Sequence, residues 1–114
     1  MVLNEMTGTT AIQLYSGTFT SGPYGSVSGE AKIFKTGTRY NLKLMNFNGS
    51  NGPDLRVYLS KEIYPVTFID LGALKATGGN QVYAIGGVID FTQYKYALIH
   101  CRQYNHLFGW ALLQ

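Results

Sequence analysis

The sequence predicts an all-β, single-domain fold, an antiparallel β-sandwich or barrel of about seven to eight short strands. Two observations carry this. Nine Tyr and six Phe accompany many Val, Ile and Thr, and 14 Gly fall between the apolar runs, the balance of strands punctuated by turns. No segment sustains a 3.6-residue apolar period, and 114 residues with 46% hydrophobic content suit one core rather than two.

The elements follow in order. Residues 1–12 are expected to form a flexible N-terminal segment, its first ten residues frayed, and 13–114 the single β-rich domain. From Gly29 the alternation becomes visible, with Ala31 and Ile33 opposing Glu30, Lys32 and Phe34. Thr36-Gly37 is a hairpin candidate, after which Tyr40, Leu42 and Leu44 share a face. Asn48-Gly49-Ser50-Asn51-Gly52-Pro53 reads as a loop, since Asn and Gly tolerate positive φ and Pro lacks a ladder donor.

Asp54 to Ser60 is the clearest strand. Leu55, Val57 and Leu59 point one way and Asp54, Arg56 and Tyr58 the other, which predicts one core face and one face in water. Further strands are expected at Thr67 to Leu74, Gln81 to Ile85, Tyr96 to Cys101 and Leu107 to Leu113. Gly78-Gly79-Asn80, Gly86-Gly87 and Gln103-Tyr104-Asn105 separate them. Asp90 is placed to cap a single helical turn at Phe91 to Tyr94.

Charge and motif content exclude several functions. The net charge is only +3 and the nine basic residues form no run, so no nucleic-acid surface is expected. No stretch reaches the roughly 18 apolar residues of a membrane-spanning helix. One cysteine forms no intramolecular disulfide, and with two histidines it builds no zinc site of the usual spacing; no metal is expected. The six carboxylates are dispersed, and no phosphate loop or Ser/His/Asp grouping can be read, so no catalytic constellation is visible.

The remaining chemistry centres on Cys101, the one thiol. His100 precedes it, but neighbours on a strand project to opposite faces, so His106, beyond a turn, is the better local partner. A redox role for Cys101 tuned by His106 and His100 stands against a buried, inert thiol. No cofactor is evident; haem ligation through His100 or Cys101 is the alternative. Asn48, Asn51, Asp54 and Tyr104 are the candidate binding residues of the loops.

The order of short stretches resembles the DM-thirteen domain family, described as an electron-transfer type of small β-rich extracellular module. Its carriers are Gly17-Thr18-Phe19, Gly29, Asn46-Phe47, the run from Gly52 to Ser60, Leu71 to Lys75, Gly79 to Tyr83, Asp90, Tyr94, Cys101 to Tyr104, and Phe108 to Ala111. The resemblance implies a β-sandwich-like module in a bacterial extracytoplasmic setting, with the cysteine matching Cys101 as redox centre. Its implied partner is a redox protein, with a cell-envelope ligand as the rival if the module serves binding or adhesion, and an N-terminal anchor outside this sequence could tether it to a membrane. Two positions depart from the pattern: His100 stands where Trp is frequent, and Gly25 where a His is.

Overall fold

The structure is a computed structural model that describes residues 2–6, 8 and 10–114. Its strands are β1 (Val2–Asn4), β2 (Ile12–Thr18), β3 (Thr20–Ser21), β4 (Val27–Thr36), β5 (Arg39–Gly49), β6 (Leu55–Ser60), β7 (Phe68–Ala73), β8 (Gly78–Ile85), β9 (Tyr96–Cys101) and β10 (His106–Leu112). They form two five-stranded sheets, ordered β1-β8-β5-β4-β2 and β3-β10-β9-β6-β7. Every pairing is antiparallel except β1 with β8.

The expected alternation builds the core between the sheets. Ala31, Ile33, Leu42 and Leu44 face inward from one sheet, and Val57, Leu59, Ala97 and Ala111 from the other, all fully buried. Small side chains let the layers approach closely. A Cβ at Gly109 would lie 2.7 Å from Val27 Cβ, so β10 passes directly over the start of β4. One side of the sandwich closes through paired backbone bonds, Ser16 N to Gln114 O at 3.1 Å and Gln114 N to Ser16 O at 2.9 Å.

Ten strands among the described residues replace the expected seven or eight. β1 and β3 hold three and two residues, too few for alternation to register, and β2 mixes Gln13, Ser16, Gly17 and Thr18 among its apolar residues. In the stretch expected to fray, Val2–Asn4 forms an edge strand along Gly78–Asn80, so those two glycines are strand and not separator. Just past it, Glu5 Oε1 accepts from Val82 N at 2.8 Å, while Lys75 Nζ donates to Val82 O at 2.6 Å and to Glu5 at 2.8 Å.

The expected hairpin at Gly37 is present, Thr36 pairing with Arg39. The loop expected from Asn48 begins later, because β5 runs on to Gly49 through a bulge at Asn46 (φ 51°) opposite Gly29 (φ 106°). The turn at Phe91 to Tyr94 forms, with Tyr94 N donating to Asp90 O at 2.9 Å and Thr92 N to Asp90 Oδ1 at 3.0 Å.

The outer face of β6 departs most from expectation. Tyr58, expected in water, is 2% exposed. The 61–67 loop folds back over this sheet, so that Ile63 packs on a second cluster of Tyr58, Leu98 and Leu107, and Phe68 stacks on Tyr58 at 4.3 Å. Glu62 Oε1 staples the loop by accepting from Val66 N at 3.2 Å, Thr67 N at 3.0 Å and Ser60 Oγ at 3.3 Å.

Gly109→Ala pushes a methyl group into Val27 where neither sheet has room. The expected result is a loss of about 1–3 kcal/mol of stability, read from the midpoint of urea unfolding.

Candidate functional site

Strand β9 determines what Cys101 and His100 can do. Its pleat turns Cys101 inward and His100 outward. Cys101 is 1% exposed and sits opposite Leu55 of β6 and His106 of β10. Its Sγ–H donates to the Pro53 carbonyl oxygen at 2.9 Å. Pro53 belongs to the 50–54 segment, which carries the chain from one sheet to the other and lies over the thiol.

That cover is held on both sides. Asp54 adopts φ 52°, accepts from Arg102 N at 3.1 Å through its carbonyl and pairs with Arg102 Nε at 2.9 Å through its carboxylate. Gly52 lies so close to Phe108 that a Cβ there would be 2.7 Å from the ring. Beside the segment is a cavity of about 440 Å³ whose wall includes Asn51, Asp54, Leu74 and Lys75.

His106 closes the opposite flank. Its ring stacks on Tyr24 with centroids 3.6 Å apart and planes within 1°, and Tyr104 lies 5.9 Å from it. Tyr24 and Tyr104 are both more than half exposed. The structure thus sets Cys101 and His106 on directly opposed residues, with two exposed tyrosines beyond.

The four expected binding residues do not share one surface. Asn51 and Asp54 line the cavity beside the thiol's cover, and Tyr104 belongs to the aromatic group around His106. Asn48 is in β5, opposite Ser28 and Gly78, and borders a separate groove with Asn4, Asn46 and Asn80.

His100 is 2% exposed under the 61–67 loop, which sequence reading missed. The apolar run Ile63-Tyr64-Pro65-Val66 in a stretch without alternation was the available signal. The His100 ring lies 5.5 Å from that of Tyr58, and Nε2 meets Asn105 Oδ1 at 2.8 Å, which places the proton on Nε2. Nδ1 is buried with no partner. Burial pushes the imidazole pKa below its ordinary 6.5 and nearby His106 adds to this, while the Asn105 bond opposes it.

His100 and Cys101 therefore cannot address one iron. They face opposite sides of the sheet, with Nε2 and Sγ engaged by Asn105 and Pro53, and these residues do not fit a haem. No group of three or more His, Cys, Asp or Glu able to hold a metal occurs among the described residues.

A family model described as electron transfer DM13 matches residues 18–113. The chain belongs to this family. No curated protein and no solved structure matches it. The DM13 match takes in Cys101, His106, Tyr24 and the 50–54 cover, so the whole thiol environment lies inside the shared domain.

The pH dependence of this DM13 domain tests the burial of His100. Because His100 is harder to protonate folded than unfolded, its contribution is intact above about pH 6.5 and is lost as pH falls through the folded pKa. Tyr58, Arg56 across the strand pair, Asn105 and His106 are the polar groups around it. Glu5, Glu62 and Asp90, held low by hydrogen bonds, add their losses only at more acid pH. Urea midpoints should fall between about pH 7 and 5, and His100→Phe should flatten that part of the curve.

Proposed function

We propose that this DM13 domain transfers electrons by thiol–disulfide exchange, with Cys101 as its redox-active group and a partner protein's disulfide as oxidant. The observation that carries the reading is position: the chain's one thiol lies under a single crossing segment, between a cavity of about 440 Å³ and a histidine stacked on an exposed tyrosine. The family description supports the electron-transfer class.

The step balances without a second cysteine in this chain. Cys101 gives up its proton, to His106 or to water, and the thiolate attacks one sulfur of the partner's disulfide. A new S–S bond forms, the old one breaks, and the departing sulfur takes up a proton. A thiol of a reduced protein then attacks the mixed disulfide and restores Cys101. For this the Sγ–H···O bond to Pro53 must break and the 50–54 segment must lift. Such exchange persists in oxidising surroundings, so an extracytoplasmic setting belongs to this proposal.

One observation favours a second reading. A thiol 1% exposed and donating to a carbonyl also fits a structural cysteine. The domain would then bind a partner or cell-envelope ligand through Tyr24, Tyr104, Asn51 and Asp54.

Alkylation of the native protein, followed by intact mass, separates the two. Under the redox reading Cys101 reacts faster than the protein globally unfolds. Arg102→Ala, which frees one anchor of the cover, speeds the reaction by about two- to fivefold. Modification that tracks global unfolding in both proteins overturns the redox role.

A further inference from the structure

The chain holds two Asn-Gly pairs close together, Asn48-Gly49 and Asn51-Gly52. Asparagine before glycine is prone to cyclise, because glycine has no side chain to shield its own backbone nitrogen or to restrict its approach. The reaction needs that nitrogen free of the backbone ladder and close to the asparagine amide. Asn48 and Asn51 are both exposed, so access to water does not separate them.

Backbone bonding does. Asn48 is within β5, paired with Ser28 of β4 and Gly78 of β8, and Gly49 N donates to Thr77 O at 2.8 Å. Ring closure there would take Gly49 N out of that bond and open the end of the strand. Asn51 lies in the 50–54 segment, outside the strands, and Gly52 N donates to Asn51 Oδ1 at 2.9 Å. The nucleophilic nitrogen is thus held against the amide it attacks. The Asn χ2 torsion is broad, so a turn of the amide about it presents Cγ to that nitrogen. Gly52 is itself fixed in place, since a Cβ there would lie 2.7 Å from the Phe108 ring.

We propose that Asn51, and not Asn48, is a self-modification site of the folded protein, converting to aspartate and isoaspartate through a cyclic imide with water as the co-reactant. A solvent base takes the proton of Gly52 N, and the nitrogen attacks Asn51 Cγ. The N–Cγ bond forms, the Cγ–Nδ2 bond breaks, and Nδ2 takes up a proton and leaves as ammonia. Water then opens the imide. Cleavage at Cγ restores the chain as aspartate, while cleavage at the main-chain carbonyl carbon leaves the chain running through the side chain as isoaspartate. Nothing is oxidised or reduced. Each conversion adds a carboxylate to the segment over Cys101, in the same cavity wall as Asp54. The modification needs only Asn51 and Gly52, and it stands whether the thiol is redox-active or structural.

Ageing of the whole chain at mildly alkaline pH, followed by tryptic digestion and mass spectrometry, tests this. The peptide from Leu44 to Arg56 holds both pairs, and its fragmentation assigns the amide-to-acid mass gain to one asparagine or the other. In the native protein Asn51 should convert at about the rate it shows in the guanidinium-unfolded chain, and Asn48 about tenfold more slowly, because its glycine must first give up a backbone hydrogen bond. Unfolding should remove the difference between the two. Labelling by an isoaspartyl methyltransferase should find isoaspartate among the products at 51. Asn51→Gln, whose longer side chain closes only a larger and slower ring, should abolish the gain at 51 and leave the rate at Asn48 unchanged. Equal native rates at the two sites, a native rate at Asn51 well below that of the unfolded chain, or aspartate without isoaspartate at 51 overturns the proposal.

Discussion

The two-residue pleat of β9 is the constraint on which the chemistry of this domain depends. β9 is the central strand of its sheet, bonded to β6 on one side and β10 on the other, so its register leaves no freedom to rotate a side chain from one face to the other. Ala97, Ile99 and Cys101 fill the space between the sheets, while Leu98 joins the smaller outer cluster and His100 lies beside its Tyr58. Two adjacent residues with reactive side chains therefore occupy separate compartments. One is a thiol facing a crossing segment, the other an imidazole beneath a loop.

Both compartments are closed by chain that would otherwise be exposed connection. Pro53 has a carbonyl to satisfy and no N–H to offer, and the thiol is the donor that reaches it. This bond serves folding, because it gives the buried thiol an acceptor; it also opposes reaction, because the proton it uses must leave before sulfur becomes a nucleophile. On the other face, Glu62 gathers the backbone donors of its own loop and so holds Ile63 against Tyr58 and Leu98. A carboxylate at the surface thereby maintains apolar packing that it does not itself join.

Where side-chain alternation was strong, the sequence revealed the structure. The inward sets of β4, β5 and β6 could be read from period two alone, and the turn after Asp90 from its capping carboxylate. Other features depend on contacts distant in sequence and left no local pattern. Asn48-Gly49 has turn composition, yet the bulge at Asn46 prolongs the strand through it. Tyr58 alternates as a solvent-facing residue and is buried by a loop whose apolar run has no period. At the candidate site, the opposition of Cys101 and His106 followed from a hairpin of the expected length. The cover from Pro53, 48 residues away, and the stack of Tyr24 on His106 could not be seen without the fold.

The arrangement around Val82 has a bearing on how copies of this protein behave when crowded. β8 is flanked by only three residues of β1, and beyond them the sheet would end in bare ladder groups, which in other proteins recruit a foreign strand. Here the N–H of Val82 is taken by a glutamate and its carbonyl by a lysine, and the two side chains pair with each other. Together they act as a short artificial strand made of side chains. Edge-to-edge growth at this point would first have to break a charged pair, so the flank of the sandwich resists polymerisation without having to be covered by more backbone.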